Sequence, residues 1–339
     1  VFFVVHLLLP CFVVHLLLPC FVVGIRMKPL CLVTGGAGFI GSHLVEGLTA
    51  GGWPVRVLDD LSTGLPGNLA HLTPAPELVV GDVGDPDAVA RAVGGAGVVF
   101  HLAALASVQR SVEAPAESHR VCATGTLHVL DAARRAGVRR VVYAASASAY
   151  GIPEGETQSE ATPVRPLSPY AAAKLAGEAY CEAFAAVYPL ETVRLRFFNI
   201  FGPRQRADSP YSGVIAIFAA ALAAGRTPTV FGDGRQTRDF TYVADVVQAL
   251  LLAAEKPGVS GEVFNVGTGQ PTTLLELVAA LNEQLGASVT PRHAETRPGD
   301  IRHSRADIAK ARRLLGYAPQ VSFKEGLAHT LAWYRTLPQ

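Results

Sequence analysis

Tyr170 and Lys174, in the run Ser168-Pro-Tyr-Ala-Ala-Ala-Lys174, are a candidate acid–base pair. Four residues apart on a helix, their side chains share one face, one turn from each other. A phenol with a pKa of about 10 is a poor base at neutral pH, and a nearby ammonium favours its phenolate. Lowering that pKa by roughly 3 pH units takes about 4 kcal/mol of differential stabilisation. One lysine assisted by a cationic ring supplies an effect of that size. The spacing alone is weak, because Tyr-x-x-x-Lys arises often by chance and usually marks a solvated helix face. It gains meaning where a cofactor site lies upstream in the same domain.

Such a site is present. Leu30-Cys-Leu-Val-Thr34 is a short apolar run that reads as a buried strand. It leads into Gly35-Gly-Ala-Gly38-Phe39-Ile40-Gly41, and an apolar-periodic helix follows over about 39–50. Gly35, Gly38 and Gly41 allow a tight turn, close backbone approach to a pyrophosphate, and close helix–strand packing. A second strand, Val55-Arg-Val-Leu58, ends in Asp59, about 20 residues on, where an acid can accept ribose hydroxyls. Asp59 would also repel a 2′-phosphate, which selects NAD over NADP. With strand, helix and acid in register, a ligand-free glycine turn is the weaker reading.

The elements around these residues alternate apolar strand and amphipathic helix, implying an α/β fold with a doubly wound parallel sheet. Expected strands are 30–34, 55–58, 77–80, 97–102, 139–145 and 191–197. Helices are expected near 39–50, 85–93, 116–136 and 169–187. Asp82 with Val83, and His101 with Leu102, Ala103 and Ala104, follow the ends of strands three and four, where ligands contact such sheets. Strand five runs into Ser146-Ala-Ser148-Ala-Tyr-Gly151. After about Asn199 the alternation breaks. Helices near 214–224 and 243–254 and a strand at 262–266, returning to the main sheet, are expected there. This predicts a cofactor domain over 27–199 with a return segment near 239–267. A smaller interleaved α/β substrate domain takes 200–238 and 268–339.

Bulk properties exclude several functions. The 339 residues suffice for one large or two modest domains. A net charge of +1 with 17% charged residues gives no basic field for nucleic acid. Arg134-Arg135 and Arg139-Arg140 flank a helix-to-strand turn and read as solvated. The ten histidines lack HExxH or CxxC companions, so no metal site is expected. Five scattered cysteines form no disulfide framework, which fits a reducing cytoplasm. Residues 1–26 are apolar for over 20 residues, as a membrane anchor or signal would be. However, prolines interrupt them, no basic region precedes them, and Phe3–Cys11 repeats identically at Phe12–Cys20. Met27, the only methionine, sits three residues before the first strand. The expectation is a translated repeat upstream of a start at Met27, outside the fold, and no membrane association.

The motifs together resemble the extended short-chain dehydrogenase/reductase family, most similar to nucleotide-sugar epimerases of the UDP-glucose 4-epimerase type. The carriers are Thr34–Gly41, Leu58-Asp59, Gly81-Asp82, His101–Ala104, Ser146 with Tyr150-Gly151, and Tyr170/Lys174. Arg196-Phe-Phe-Asn199, Gly232–Phe240 and Arg297-Pro-Gly-Asp300 continue the series. The resemblance implies a Rossmann fold and bound NAD. It implies that Ser146 hydrogen-bonds the sugar 4-hydroxyl, Tyr170 takes its proton, and Lys174 binds the nicotinamide ribose and holds Tyr170 ionised. Asn199, Phe231, Arg238, Arg297 and Asp300 are implied to hold the nucleotide diphosphate, with Ser148 beside the sugar. Two arginines suit a pyrophosphate through planar, charge-assisted forks. An ordinary surface arginine is a more credible alternative for Arg238 than for Arg297.

Two departures bear on chemistry. Cys122 precedes Ala123-Thr-Gly-Thr126 where the family commonly has Asn, which removes one hydrogen bond near the cofactor and weakens NAD retention. The related 4,6-dehydratases carry Asp-Glu after the strand-five hydroxyl residue, whereas Ala147 and Ser148 stand here, so dehydration is not expected. The resemblance therefore implies inversion at C4 of a UDP-hexose through a 4-keto sugar. Ser304 aligns with a position bordering the C2 substituent, and its small size implies tolerance of UDP-GlcNAc/UDP-GalNAc besides UDP-glucose/UDP-galactose. Alternatives are a UDP-glucuronate 4-epimerase or decarboxylase, using Arg204 or Arg206 against the C6 carboxylate, and a non-catalytic NAD-binding regulator. A homodimer through helices near 116–136 and 169–187 is also implied.

Overall fold

The computed structural model describes residues 28–152, 154–206, 213–296 and 301–336. The apolar repeat at 1–26 and Met27 lie outside the described residues. From Leu30 the chain winds β1 (Leu30–Thr34), α1 (Phe39–Ala50), β2 (Val55–Asp59), β3 (Glu77–Val80), α2 (Pro86–Val93) and β4 (Ala96–His101). Then come α3 (Val108–Glu113), α4 (Pro115–His119), α5 (Gly125–Arg135), β5 (Arg140–Ser146), α6 (Pro169–Val187) and β6 (Glu191–Phe197). These strands are parallel, in the order β6-β5-β4-β1-β2-β3. The order reverses between β1 and β4, which opens a crevice at their carboxyl ends, the place where ligands bind open α/β sheets. This is the doubly wound parallel sheet that the sequence predicts.

Both faces of the sheet are covered, so its strands read as continuous apolar runs rather than alternating ones. Leu32, Leu58, Val99 and Val141 face one layer with Val89, Val129 and Phe184. Val33, Val57, Phe100 and Val142 face the other with Leu44, Leu48, Leu250 and Phe264. Burying each such side chain stabilises the fold by about 1.5–3 kcal/mol.

Beyond β6 the chain forms β7 (Asn199–Phe201), α7 (Val214–Ala223), β8 (Thr229–Phe231), β9 (Thr237–Tyr242), α8 (Val243–Glu255) and β10 (Val263–Val266). β10 pairs in parallel with β6 and completes seven strands. Then follow β11 (Pro271–Thr273), α9 (Leu274–Leu285), β12 (Arg292–Ala294), α10 (Ala309–Leu315) and α11 (Phe323–Tyr334). They build a three-stranded sheet, β11-β9-β7, and a β12-β8 pair around a separate apolar cluster that includes Phe201, Phe218, Phe240, Leu277 and Leu327.

The helix expected at 116–136 is present as one helical run through α4 and α5, begun by Pro115, which is tolerated only at a helix start. Arg120–Thr124 then widens into a π-helical turn closed by Gly125 N–H bonding Arg120 C=O. Arg140, read as solvated, is buried. Its Nη1 donates to the carbonyls of Ala253, Ala254 and Lys256 at 2.8–3.0 Å, and its Nε to Glu191 at 2.9 Å. The unpaired carbonyls ending α8 attract a cation, so this arginine pins α8 to β5.

Candidate active site

The β1–α1 turn is built for glycine. Gly35 has φ +70°, and a Cβ there would lie 2.9 Å from Ala103 N. A Cβ on Gly41 would overlap Gly35 O. Gly38 is the N-cap of α1, and no acid occupies the first turn. The amides of Phe39, Ile40 and Gly41 open the helix, where no intrahelical acceptor exists, and present positive dipole ends to an anion. Phe39 stands edge-on to His43 at 6.0 Å, and Ile40 packs on the core.

Asp59 ends β2 and is 6% exposed. Its carboxylate accepts Ala37 N–H and Leu61 N–H, each at 2.9 Å. Burial pushes its pKa up, against the pull of those two amides. A Cβ on Gly64 would stand 2.6 Å from Asp59 Oδ1, so glycine there keeps the carboxylate's flank clear. The glycine turn, the free helix amides and this carboxylate fit a dinucleotide. Asp82 accepts Gly84 N–H and Arg120 Nη1, both at 2.7 Å. Val83 contributes its side chain to the core under Gly125, and its carbonyl contacts His128 at 3.1 Å, so only its amide remains for a ligand.

Leu102, Ala103 and Ala104 line the end of β4. Leu102 and Ala103 amides both donate to Thr34 Oγ1 at 3.2 Å. Ala104 joins a small cluster of Cys122, Ala123, Ala173 and Tyr170. Cys122 is buried within the π turn.

Ser146 ends β5 and caps the next turn by accepting Ser148 N–H at 3.2 Å, while the two hydroxyls lie 2.8 Å apart. Ser168 caps α6 through Ala171 N–H, with Pro169 at the first helical position. Tyr170 therefore stands in the first turn, beside Ser146. Burial pushes its phenol well above the usual range and the neighbouring Cys122 adds to this, while the nearby Ser146 hydroxyl pulls it down. Lys174 Nζ donates to Ala144 O at 2.7 Å and lies 4.8 Å over the Tyr143 ring. Its own pKa is lowered by burial. The long lysine stem carries the ammonium to the β5 backbone.

The expected substrate residues divide. Asn199 is exposed on β7, in register with Phe240 of β9. Arg238 lies on β9, its Nη1 donating to Thr237 O at 2.9 Å. Ser304 N–H donates to the same carbonyl at 3.2 Å, so Arg238 and Ser304 come together. Phe231 sits on β8 in the other small sheet. Arg297 and Asp300 lie outside the described residues. Arg204 points elsewhere: it bonds Glu46 Oε2 at 2.6 Å and Ser42 Oγ at 3.3 Å on α1, which removes it as the carboxylate partner of the glucuronate reading.

Several structural determinants were not singled out from sequence. Asp239, fully buried, accepts amides of Thr268, Gly269 and Ala306 and the Thr268 hydroxyl at 2.7–3.0 Å, which ties the loop after β10 to the Ser304 segment. Glu178 on α6 holds Arg196 of β6 in a buried bidentate pair at 2.7–3.0 Å. Its signal was an acid four residues beyond Lys174 on an alanine-rich face. His101 was read only as part of a strand end. It is fully buried between Thr34 and Thr126, at 2.7 and 3.0 Å. Among the described residues no cluster of three or more His, Cys, Asp or Glu could hold a metal ion, and no helix is long and apolar enough to cross a membrane.

Residues 31–267 match the model of the NAD dependent epimerase/dehydratase family. The chain is 45% identical over 312 residues to a UDP-glucose 4-epimerase of Mycolicibacterium smegmatis, covering 91% of this chain and 99% of that protein. The fold is similar to the UDP-N-acetylglucosamine 4-epimerase of Methanobrevibacter ruminantium, with a TM-score of 0.87 at 35% identity over 91% and 99% of the two chains. It is similar also to the NAD complex of the Thermus thermophilus UDP-glucose 4-epimerase, with a TM-score of 0.82 at 39% identity over 91% and 99%.

Proposed function

The chain belongs to the NAD dependent epimerase/dehydratase family, and on that premise we propose that it inverts C4 of a UDP-hexose through a transient 4-keto sugar, with NAD as cofactor. The observation that carries the reading is the placing of Ser146, at the end of β5, beside Tyr170, in the first turn of α6, at the carboxyl ends of the central strands and next to the glycine cradle. NAD, when bound, supplies the hydride acceptor and donor for C4. The amides of Phe39, Ile40 and Gly41 hold the pyrophosphate, and Asp59 accepts the ribose hydroxyls. The ends of β3 and β4 flank the rest of the cofactor: Asp82 with the Val83 amide, and Leu102, Ala103 and Ala104.

Ser146 orients the sugar 4-hydroxyl toward Tyr170, with Ser148 bracing it from 2.8 Å. Tyr170 is a phenol in this geometry, so its action as a base needs positive charge beside it. Lys174, one turn away on the same face, is the chain's own source. Asn199, Phe231, Arg238, Arg297 and Asp300 clamp the nucleotide diphosphate. This supplies binding energy remote from C4 and leaves the ketone free to turn. Elimination has no support, because Ala147 packs on the core and Ser148 is bonded to Ser146, so neither position offers a carboxylate.

UDP-glucose and UDP-galactose are the proposed pair. Tolerance of their 2-acetamido counterparts rests on the small Ser304 beside Arg238. A homodimer is proposed through the helical stretches 116–136 and 169–187, where Tyr180 and Val187 are exposed on α6, with a cytoplasmic location suited to the buried free cysteines Cys31, Cys122 and Cys181. The test is to incubate the protein with a panel of UDP-sugars and separate the products, with Tyr170→Phe as control. Interconversion by the parent and a loss of roughly 100-fold or more in the variant, with NAD and UDP still bound, is expected. Near-normal turnover by Tyr170→Phe would defeat the mechanism, and tight NAD binding without turnover on any UDP-sugar would favour a regulator.

A further inference from the structure

We propose that His101 is a positioning residue for this reaction: as a neutral imidazole protonated on Nε2, it ties the glycine cradle to the helical turn packed behind Tyr170. The inference rests on Tyr170 being the base.

The proton directions follow from the two ends of the chain of contacts. Thr126 Oγ1 lies 2.7 Å from Cys122 O, and a carbonyl only accepts, so the hydroxyl gives its single proton there. His101 Nε2, 3.0 Å from the same oxygen, must therefore be the donor. At the other end, Leu102 and Ala103 amides both donate to Thr34 Oγ1 at 3.2 Å. That leaves the Thr34 hydroxyl proton for His101 Nδ1 at 2.7 Å. Both ends demand one tautomer. Complete burial and the Lys174 ammonium reinforce the neutral form, lowering the imidazole pKa to about 3.

The contacts at each end give this relay its consequence. Thr34 immediately precedes Gly35, and Ala103 N stands 2.9 Å from where a Gly35 Cβ would be, so one end fixes the cradle against the end of β4. The other end holds Cys122 in the π turn, and Cys122 packs with Ala123, Ala173 and Tyr170. π turns interrupt helices mostly at functional sites, and here one sets the wall behind the base. His101 touches no reacting atom, yet a misplacement of about 1 Å between a base and its target costs on the order of 100-fold.

Two variants cut the link while conserving shape. Thr126→Val removes the acceptor of Nε2. His101→Asn leaves an acceptor near Nδ1 for Thr34 but cannot reach Thr126. Each is expected to lower kcat about tenfold, with KM and bound NAD within about twofold of the parent. The double variant should be no worse than His101→Asn alone within about twofold, because both changes break one connection. Multiplying losses, or lowered melting temperature with unchanged kcat, would overturn the proposal.

Nitrogen NMR of histidine-labelled parent protein, with the His101 signal identified through Thr126→Val, reads the tautomer without any sugar. A bare Nδ1 and a protonated Nε2, unchanged between about pH 5 and 8, is expected. A protonated Nδ1 or a titrating ring would refute the relay. A correct tautomer in a protein that turns over no UDP-hexose would instead count against the epimerase reading.

Discussion

Glu178→Gln should be far more damaging than its size suggests. Glu178 is 2% exposed and Arg196 7%, and the pair shares contacts at 3.0 Å from Nε to each carboxylate oxygen and 2.7 Å from Nη2 to Oε2. Arg196 has little else: its Nη1 is buried without a hydrogen-bond partner, and it lies 4.9 Å over the Tyr150 ring. Glutamine keeps the shape and removes the countercharge. Breaking a buried pair by one partner costs about 3–5 kcal/mol. At about 2 °C per kcal/mol for a chain of this size, the melting temperature should fall by roughly 6–10 °C. The internal control is Glu182→Gln, which removes the partner of Arg194 but is 69% exposed and should cost about 1 kcal/mol or less. Thermal unfolding at low and high salt measures both. A buried pair is weakly screened, so the Glu178→Gln loss should persist in salt. Replacing both partners by apolar residues, as in Glu178→Leu with Arg196→Met, should recover most of it. A drop no larger than that of Glu182→Gln would refute the reasoning.

Gly41→Ala should yield protein purified without NAD, because the new Cβ overlaps Gly35 O and comes within 2.7 Å of Gly36 Cα; parent-like NAD released on denaturation would contradict the cradle. Ser304→Tyr should retain turnover of UDP-galactose and lose any on UDP-N-acetylgalactosamine, and equal activity on both in the variant would remove Ser304 from sugar selection. His101 should make the fold acid-sensitive: its folded pKa is lowered from 6.5 to about 3, so the unfolded chain takes up a proton first as pH falls. Its contribution is complete above pH 6.5 and is lost at about 1.4 kcal/mol per pH unit down toward pH 3. Denaturant titrations at pH 7 and pH 5 should therefore show about 2 kcal/mol more loss in the parent than in His101→Asn, and identical slopes would count against a neutral buried ring.

What the sequence made legible was local. Gly35, Gly38 and Gly41 must span the turn from one strand into the first turn of one helix, and Asp59 must end the next strand, because turn geometry and strand length dictate both. The seven-stranded sheet followed from the apolar runs, including the return of 263–266 to β6. Tyr170 and Lys174 share a helix face as their spacing requires. The direction of the Lys174 ammonium was not readable, since Ala144 lies 30 residues away in sequence. Distance in sequence also hid Arg140 against the end of α8, the Thr34–His101–Thr126 relay and the Glu178–Arg196 pair. β7 and β9 escaped notice because one has three residues and the other carries Arg238 and Asp239, which break the apolar signature although Asp239 is wholly buried.

The central claim is that one carbon is oxidised and reduced again within a closed site. UDP-galactose carrying deuterium at C4, converted in ordinary water and read by mass spectrometry and proton NMR, tests it most directly. The account predicts UDP-glucose that keeps the label at C4 and takes no solvent hydrogen at C5 or C6. Loss of the C4 label to solvent, or solvent hydrogen at C5 or C6, would contradict it.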